Sequence, residues 1–357
     1  MERTVFLDNI RYNAGVIKQK SGVALCAVVK CNAYGHGVSR VCKALNGMVE
    51  CFAVSSILEA KAIRAVDSDT PILNLGTFKH SQISVLQNYN IIQSVHNIPD
   101  LIAISEFITK HNSDIIATNN NITIDIKINS GFNRLGLNIQ ECQKALNILE
   151  NSPNVVLHGL YTHLCDYTSP RYSQIQLENF ETSSKLFLKY SPLLHCVSSK
   201  GIEWGADFKC DMARCGLALY GIGHKDLKQA MHIHSHIVQT NLVPRGMRVG
   251  YNNYTMSRDS IIATITGGYG QGILRGVYDR VLVADTLCPI VGDICMDFFM
   301  IDVSQIARQK PNLELVGHEV IITDDKLNLE SIAQNAKTIP YQLLVATNVK
   351  NNKIVYK

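Results

Sequence analysis

The chain has 357 residues, of which 46% are hydrophobic and 18% are charged, and its formal net charge is +4. A length of this size predicts about two domains, and the composition supports a sizeable core rather than a disordered chain. The positive charge is not gathered into a basic run, which argues against nucleic acid as a partner.

No apolar stretch approaches the ~18–20 residues needed to span a bilayer, so we expect no membrane partner. Residues 1–13 carry charges where a signal peptide needs an apolar segment, and we therefore expect a cytoplasmic protein. In that compartment the 11 cysteines are expected to be reduced.

Short apolar runs alternate with amphipathic stretches of helical length through the first two-thirds of the chain. The runs extend from VALCAVV, which begins at Val23, to ARCGLALYG, which ends at Gly221. This alternation indicates βαβ units and a parallel sheet, and about eight repeats favour a (β/α)8 barrel over an open sheet. We predict an α/β barrel over residues 1–228.

The pattern changes from about residue 230, where apolar and polar residues alternate without intervening helices. Segments such as MHIHSHIVQTNLVP and SIIATITGGYG are typical of antiparallel strands joined by glycine and proline turns. We predict a mainly β domain over residues 229–357. Its segment NLESIAQNAKTIPYQLLVATN predicts a helix, a proline-marked turn and a strand.

Three histidines in HIHSH, His232, His234 and His236, alternate along one predicted strand face. Three imidazoles on one face could bind a metal ion, but the sequence nearby offers no evident acidic or cysteine partner. We interpret them as an ordinary strand face and predict no metal.

Lys30 ends the first apolar run and is followed by the polar, glycine-rich segment CNAYGHG. Active sites of barrels lie at the carboxyl ends of the strands, and Lys127, His163 and Ser199 stand at the ends of later runs. A desolvated lysine at such an end can form a Schiff base with an aldehyde. The alternative is a lysine that merely begins a solvated loop.

The segment AVVKCNAYGHG resembles the signature of alanine racemases, which are fold-type III enzymes dependent on pyridoxal phosphate. Further blocks follow in the family's order: IKINSGFNRLG, YTHLCD, HCVSSKG, MARCGLALYG, VGYNNYT, GGYGQG, VGDICMD and IPYQLL. The resemblance runs from about residue 5 to the C-terminus. It implies a barrel followed by a β domain, and a homodimer that interconverts L- and D-alanine and supplies D-alanine for peptidoglycan.

The resemblance also implies two catalytic bases. Lys30 would carry pyridoxal phosphate as an aldimine and act as one base, and Tyr251 of the partner subunit would act as the other. Bases on opposite faces of the cofactor allow one to remove the α-proton while the other returns a proton to the opposite face.

Arg214 matches the arginine that faces the pyridine nitrogen of the cofactor. Arginine stays protonated, so it donates to this nitrogen without protonating it. The ring is then a weaker electron sink, which favours racemisation over transamination.

The remaining matches hold the cofactor or the substrate. His163 matches a histidine near the cofactor, and Arg134 matches the arginine that binds the phenolic oxygen and approaches the substrate carboxylate. Lys127 matches a lysine that is often carbamylated, which would give an anion able to orient Arg134. The matches to the phosphate ligands are Tyr34, Ser199, Tyr341 and the backbone of Gly216 and Leu217. Met296 of the partner subunit matches the residue whose backbone amide binds the substrate carboxylate. Tyr269 of the partner subunit matches a residue that lines the entrance.

The sequence departs from the family's usual pattern at several positions. Asn129, Ser130 and Phe132 stand where the family usually has Asp, Thr and Met, and Asp293 stands where some relatives carry arginine. The size of the pocket depends on side chains that the sequence does not place, so an amino-acid racemase acting on serine, lysine or a broader set is an open alternative, as is a non-catalytic pyridoxal phosphate-binding protein.

Overall fold

The computed structural model describes residues 1–111, 121–204, 210–252, 254–349 and 352–357. The helical segments are α1 (Leu7–Ser21), α2 (Lys30–Tyr34), α3 (Val38–Leu45), α4 (Ile57–Arg64), α5 (Ile83–Asn88), α6 (Ile98–His111), α7 (Ile139–Glu150), α8 (Pro170–Ser184), α9 (Ser304–Gln309), α10 (Leu329–Asn335) and α11 (Pro340–Ala346). The strands are β1 (Glu2–Val5), β2 (Ala24–Val28), β3 (Cys51–Val54), β4 (Ile72–Asn74), β5 (Ile91–Val95), β6 (Ile122–Lys127), β7 (Val155–Tyr161), β8 (Leu193–His195), β9 (Met212–Cys215), β10 (Met231–Val243), β11 (Ser260–Thr266), β12 (Arg280–Val283), β13 (Thr286–Val291), β14 (Phe298–Asp302), β15 (Glu319–Thr323) and β16 (Lys353–Tyr356).

Eight parallel strands form the first sheet, in the order β8-β7-β6-β5-β4-β3-β2-β9. The two ends of this order meet, because Arg214 N donates to Val197 O at 2.9 Å and Ser198 forms a bridge with Arg214. Strands β3 and β5 are buried along their whole length, as expected where helices cover a parallel sheet. The predicted (β/α)8 barrel is confirmed, and it aligns Lys30, Lys127 and His163 at one end.

The second sheet has the order β11-β14-β13-β12-β15-β10-β1-β16, and β10 also pairs with β11. Its pairings are antiparallel except that of β1 with β16. The predicted second, mainly β domain is confirmed as a fold. The boundary between residues 228 and 229 stays a prediction.

Strand β1 lies in the second sheet, although it falls within the range 1–228 that we assigned to the barrel. Glu2 pairs with His234 on one side and with Lys353 on the other. Backbone pairing on both sides fixes the strand there, and the four residues ERTV gave no sign of which sheet they would join.

Two sequence expectations are wrong in detail. Residues 340–346 form helix α11 rather than a strand, because Pro340 occupies the first helical turn, where its fixed φ favours a helix start. Cys196 and Cys210 form a disulfide, because the end of β8 and the start of β9 are neighbours. The other nine cysteines are free, as expected.

The described residues contain no group of three or more His, Cys, Asp or Glu side chains arranged to hold a metal ion. His232 and His234 instead face carboxylates, at 3.5 Å from Asp325 and 3.2 Å from Glu319.

No helix in the described ranges combines the length and apolar character that crossing a membrane requires.

Candidate active site

Lys30 lies just beyond the carboxyl end of β2, half-buried, and begins an unusual turn. The φ angles of the next four residues are all left-handed: Cys31 54°, Asn32 55°, Ala33 53° and Tyr34 52°. Each non-glycine residue in this conformation costs roughly 1–2 kcal/mol. Strain of this kind persists only where the surroundings enforce it, and it concentrates at functional sites.

Two side chains from distant parts of the chain, and one from the turn itself, hold this turn. Glu59 accepts the backbone N–H of Cys31 at 2.5 Å, and Arg3 of β1 donates to Gly35 O at 2.8 Å. Asn32 accepts the N–H of Val38 at 2.9 Å. The turn is thereby fixed and brings the Tyr34 side chain inward, where it is buried.

The Tyr34 hydroxyl lies against Gly216, where a Cβ atom would come within 2.6 Å of it. Ser199 Oγ accepts the N–H of Gly216 at 3.0 Å, and a short 3-10 turn begins at Leu217. The ring of Tyr341 lies 5.8 Å from that of Tyr34. These predicted phosphate ligands are therefore neighbours, and hydroxyls with backbone N–H groups form a cradle suited to an anion.

The pKa of His163 reflects the positive charge of the site. Burial, together with the positive charges of Arg214, Arg134, Lys127 and Lys30, lowers the pKa of His163 to about 3, so its imidazole is neutral. Four cations around one buried imidazole create a site that favours a negatively charged ligand.

Lys127 is nearly inaccessible, with 4% of its surface exposed. Burial first, and then the charges of Arg134 and Arg214, lower the pKa of Lys127 to about 8. Among the described residues no carboxylate forms an ion pair with it. A buried cation without a partner is costly, so this amine loses its proton at a lower pH than an exposed lysine does.

Arg214 is buried, with a guanidinium group whose orientation is fixed by three acceptors. Its NH1 donates to His195 O at 2.5 Å and to His195 Nδ1 at 3.0 Å, and its NH2 donates to Thr162 O at 2.6 Å. Within the described chain its Nε–H has no partner. A fixed arginine with a remaining donor suits an unprotonated ring nitrogen.

Arg134 is exposed in the single chain and stacks on Phe132, with its guanidinium carbon 4.3 Å from the ring centroid. The Phe132 ring in turn lies 5.5 Å from His163. From the sequence, Phe132 was only a departure from the family's pattern. The structure gives it a contact with the predicted substrate-binding arginine.

The structure does not bring Tyr251, Tyr269 or Met296 to Lys30. They lie in the β domain with 66%, 43% and 56% of their surfaces exposed, and no hydrogen bond or ring contact of the described residues joins them to the barrel site. Tyr269 and Met296 are close to each other, because Tyr269 N donates to Cys295 O and Gly270 N donates to Met296 O.

Sequence reasoning missed three buried or half-buried residues behind Arg214. Asp125 accepts hydrogen bonds from His195 Nε2 at 3.0 Å and from His158 Nδ1 at 2.8 Å. One signal was available: Asp125 stands two positions before Lys127, so both side chains face the same side of β6. Its partners lie far along the chain and could not be read from spacing.

The site fits pyridoxal phosphate. The cradle around Tyr34 suits the phosphate, Lys30 supplies an amine for the aldehyde, and Arg214 retains a donor for the ring nitrogen. A barrel followed by a β domain, with a lysine and an anion-binding cradle at the carboxyl ends of the strands, defines the class of fold-type III pyridoxal phosphate enzymes.

Comparison with known proteins identifies the family within this class of enzymes. The family model described as "Alanine racemase, N-terminal domain" matches residues 5–224, and "Alanine racemase, C-terminal domain" matches residues 230–355. The chain belongs to the alanine racemase family. It is a pyridoxal phosphate-dependent amino-acid racemase that acts on alanine.

Individual relatives agree along nearly the whole chain. An alanine racemase of Mannheimia succiniciproducens is 30% identical over 94% of this chain and 93% of that protein. The solved alanine racemase of Clostridium difficile 630 has a TM-score of 0.88 at 27% identity, covering 100% of this chain and 95% of that one. The alanine racemase of Bartonella henselae, solved with covalently bound pyridoxal phosphate, has a TM-score of 0.90 at 25% identity and covers 100% and 99%.

Proposed function

We propose that this racemase inverts alanine by a two-base mechanism, with Lys30 on one face of the cofactor and Tyr251 of the partner subunit on the other. The observation that carries the proposal is the convergence of the positive charges of Lys30, Arg214, Lys127 and Arg134 around His163. This charge distribution suits both the anionic cofactor and the carboxylate of an amino acid.

Pyridoxal phosphate, when bound, supplies the electron sink that stabilises negative charge at Cα after proton loss. Lys30 Nζ exchanges a proton with Cα on its own face. The Tyr251 hydroxyl of the partner subunit exchanges a proton on the other face, so the configuration inverts. Arg134 and the backbone amide of Met296 of the partner subunit hold the substrate carboxylate, and Tyr269 of the partner subunit lines the entrance.

The remaining cofactor contacts are proposed from the same geometry. Tyr34, Ser199, Tyr341 and the backbone of Gly216 and Leu217 hold the phosphate. Burial raises the pKa of Tyr34, which keeps its hydroxyl protonated and able to donate to phosphate oxygens. The neutral imidazole of His163 would lie near the cofactor and Arg214.

The homodimer is supported by the exposed side chains of the β domain. The large apolar or aromatic residues exposed there include Leu242, Met247, Tyr251, Tyr254, Tyr269, Met296 and Phe298. Where such side chains adjoin one another, they are typical of a protein interface. A second copy would cover these residues and bring Tyr251 to the opening of a barrel.

Racemases acting on serine or lysine would use the same two bases, and a non-catalytic pyridoxal phosphate-binding protein would need neither. Proton exchange in deuterated water discriminates among them, with L-alanine, L-serine and L-lysine compared at equal concentration. Fastest deuteration and loss of rotation for alanine supports the proposal, whereas exchange of no amino acid supports a carrier. A cytoplasmic location and a supply of D-alanine for peptidoglycan are further proposals from the family resemblance.

The shared site has a direct test in subunit complementation. Lys30→Ala and Tyr251→Phe should each be inactive as homodimers. Mixed, unfolded and refolded together, they should recover roughly a quarter of wild-type activity, because half of the dimers are mixed and each holds one intact site. If Lys30 and Tyr251 acted within one chain, the mixture would stay inactive.

A further inference from the structure

A buried hydrogen-bond chain runs from Arg214 through His195 to Asp125 and ends at His158. Arg214 NH1 lies 3.0 Å from His195 Nδ1, His195 Nε2 lies 3.0 Å from Asp125 Oδ2, and Asp125 Oδ1 lies 2.8 Å from His158 Nδ1. Asp125 and His195 are both fully buried. The hydrogen-bond chain therefore connects Arg214, the predicted cofactor contact, to the interior of the barrel.

The donors and acceptors of this hydrogen-bond chain allow only one protonation state of the His195 ring. Arginine can only donate, so Nδ1 of His195 must accept and carries no proton. The proton then sits on Nε2, where it is donated to the Asp125 carboxylate. Burial lowers the pKa of His195 to about 4, so the ring is neutral and singly protonated.

Asp125 is ionised despite its burial. Burial alone would raise the pKa of Asp125, but the hydrogen bonds from His158 and His195 outweigh it and hold this pKa below its ordinary value. The bond to Asp125 raises the pKa of His158 against the opposite effect of burial. The carboxylate thus has a partner on each side, and neither of its oxygens is left unpaired.

Two local features of β7 make room for this chain. The pairing of β6 with β7 shifts by one residue, since Ile124 pairs with Leu157 and Asp125 pairs with Gly159. The extra residue is His158, and a β-bulge re-aims such a side chain, here toward Asp125. A Cβ atom at Gly159 would come within 2.9 Å of Asp125 Oδ1 and 3.0 Å of His195 Nε2, so a larger residue would push the two apart.

We propose that Asp125 is a positioning residue for the racemase reaction: through His195 it holds the Arg214 guanidinium with its Nε–H toward the ring nitrogen of the cofactor. This inference rests on the proposed role of Arg214. His195 has a ring contact with Tyr161 at 5.1 Å but no other side-chain acceptor in the described chain for its Nε2–H. Without Asp125 the orientation of the imidazole is no longer fixed at Nε2, so NH1 of Arg214 loses the fixed acceptor at Nδ1 and keeps the bond to His195 O.

The first experiment needs no substitution and no substrate. Nitrogen-15 NMR of histidine-labelled protein without cofactor should show His195 as the neutral Nε2–H form, assigned by its loss in His195→Gln. An Nδ1–H form or a doubly protonated ring at neutral pH would overturn the proposal. This measurement is independent of activity, so it holds even if the proposed reaction fails.

Substitutions at Asp125 then distinguish a role in positioning Arg214 from a role of its charge or a role in protein stability. Asp125→Leu removes the acceptor and should lower kcat/KM roughly 10–100-fold, the range seen when an outer hydrogen-bond partner of a site is removed. It should also shift the visible absorption of bound pyridoxal phosphate. Asp125→Asn keeps an acceptor oxygen, so it should keep the Nε2–H signal and most of the activity.

Asp67→Asn is the matched control, because Asp67 is also buried and hydrogen-bonded but lies in the loop before β4. It should lower thermal stability while leaving the His195 signal and the absorption spectrum unchanged. Wild-type activity and spectrum in Asp125→Leu would refute the proposal, and so would an Asp125→Asn variant as impaired as Asp125→Leu. Should Asp125→Leu fail to fold, the NMR result and Asp125→Asn still decide.

Discussion

Lys127 illustrates how burial at the scale of one residue prepares a chemical step. Its amine is nearly inaccessible and its pKa is lowered to about 8, so a large fraction is neutral near that pH. A neutral amine is the form that adds carbon dioxide to give a carbamate. The resulting anion would replace the repulsion between Lys127 and Arg134 with attraction.

We expect carbon-13 NMR with labelled bicarbonate to show a carbamate signal that grows as the pH rises from about 6 to about 8. The sign follows from the amine, which is protonated and unreactive below its pKa. Lys127→Arg should lack the signal and lose activity by about tenfold or more, because a second fixed cation repels Arg134. Lys144→Arg, at an exposed helical position, should keep both. A signal that survives Lys127→Arg would contradict the assignment.

His158 carries a pH-dependent part of the stability. Its folded pKa is raised by Asp125, so its contribution is full below the unfolded value of about 6.5 and is lost as the pH rises through the folded pKa. Asp125 stays ionised in this window, because its own pKa is lowered.

His158→Gln keeps a donor for Asp125 but no charge. It should lower the unfolding free energy more at pH about 5.5 than at pH about 9, measured by urea denaturation at both values. His236→Gln, at an exposed position of β10, is the control and should show no such difference. An equal loss at both pH values would mean that His158 contributes only by packing.

At the scale of elements, the left-handed turn after Lys30 shows the limit of sequence reasoning. The apolar run of β2 and its end at Lys30 were predictable, because βα alternation and the position of barrel sites are general rules. Four consecutive left-handed residues were not, since Cys31 and Ala33 have no local preference for that conformation. Bonds from Glu59 and Arg3 impose it, and those partners are distant in the chain.

Strain in this turn is testable at Cys31, whose side chain is exposed. Cys31→Gly removes a left-handed cost of roughly 1–2 kcal/mol and adds roughly 0.5–1 kcal/mol of backbone entropy, so the protein should become more stable. Differential scanning calorimetry should show a Tm rise of about 1–3 °C. Cys165→Gly, an exposed cysteine without a positive φ, should give no rise. An unchanged or lower Tm for Cys31→Gly would argue that the turn is unstrained.

The surroundings of Arg214 show a second limit of prediction from the sequence. The family resemblance supplied its role, and burial with fixed acceptors is consistent with that role. The supporting Asp125 and His195 stayed hidden, because their contact joins β6 to β8 across 70 residues of sequence. Tyr251 and Met296 are proposed to complete a partner's site, and in a single copy both are exposed.

At the scale of the whole molecule, β1 ties the two domains together. It completes the second sheet between β10 and β16, while Arg3 on the same strand holds the turn after Lys30. The second domain is therefore not a continuous piece of chain, because it takes β1 from before the barrel and its other strands from after it.

Removing residues 1–5 should lower the Tm by more than about 5 °C, because it unpairs the edges of both β10 and β16 and releases Gly35. Arg3→Met keeps the strand but loses the bond to Gly35 O, so it should retain the β sheet, measured by circular dichroism, and weaken cofactor binding. If the deletion were as stable as the full chain, β1 would be dispensable for the second sheet.

The placement of β1 also sets an order of events during synthesis. Strand β1 leaves the ribosome before β10, which follows roughly 10–50 s later at ordinary rates of translation. Until then its backbone has no sheet to join, although helix α1 and the first barrel strands can already fold behind it. Only when β16 emerges does β1 gain its second neighbour, so one edge of β1 stays unpaired while all the strands between them are made.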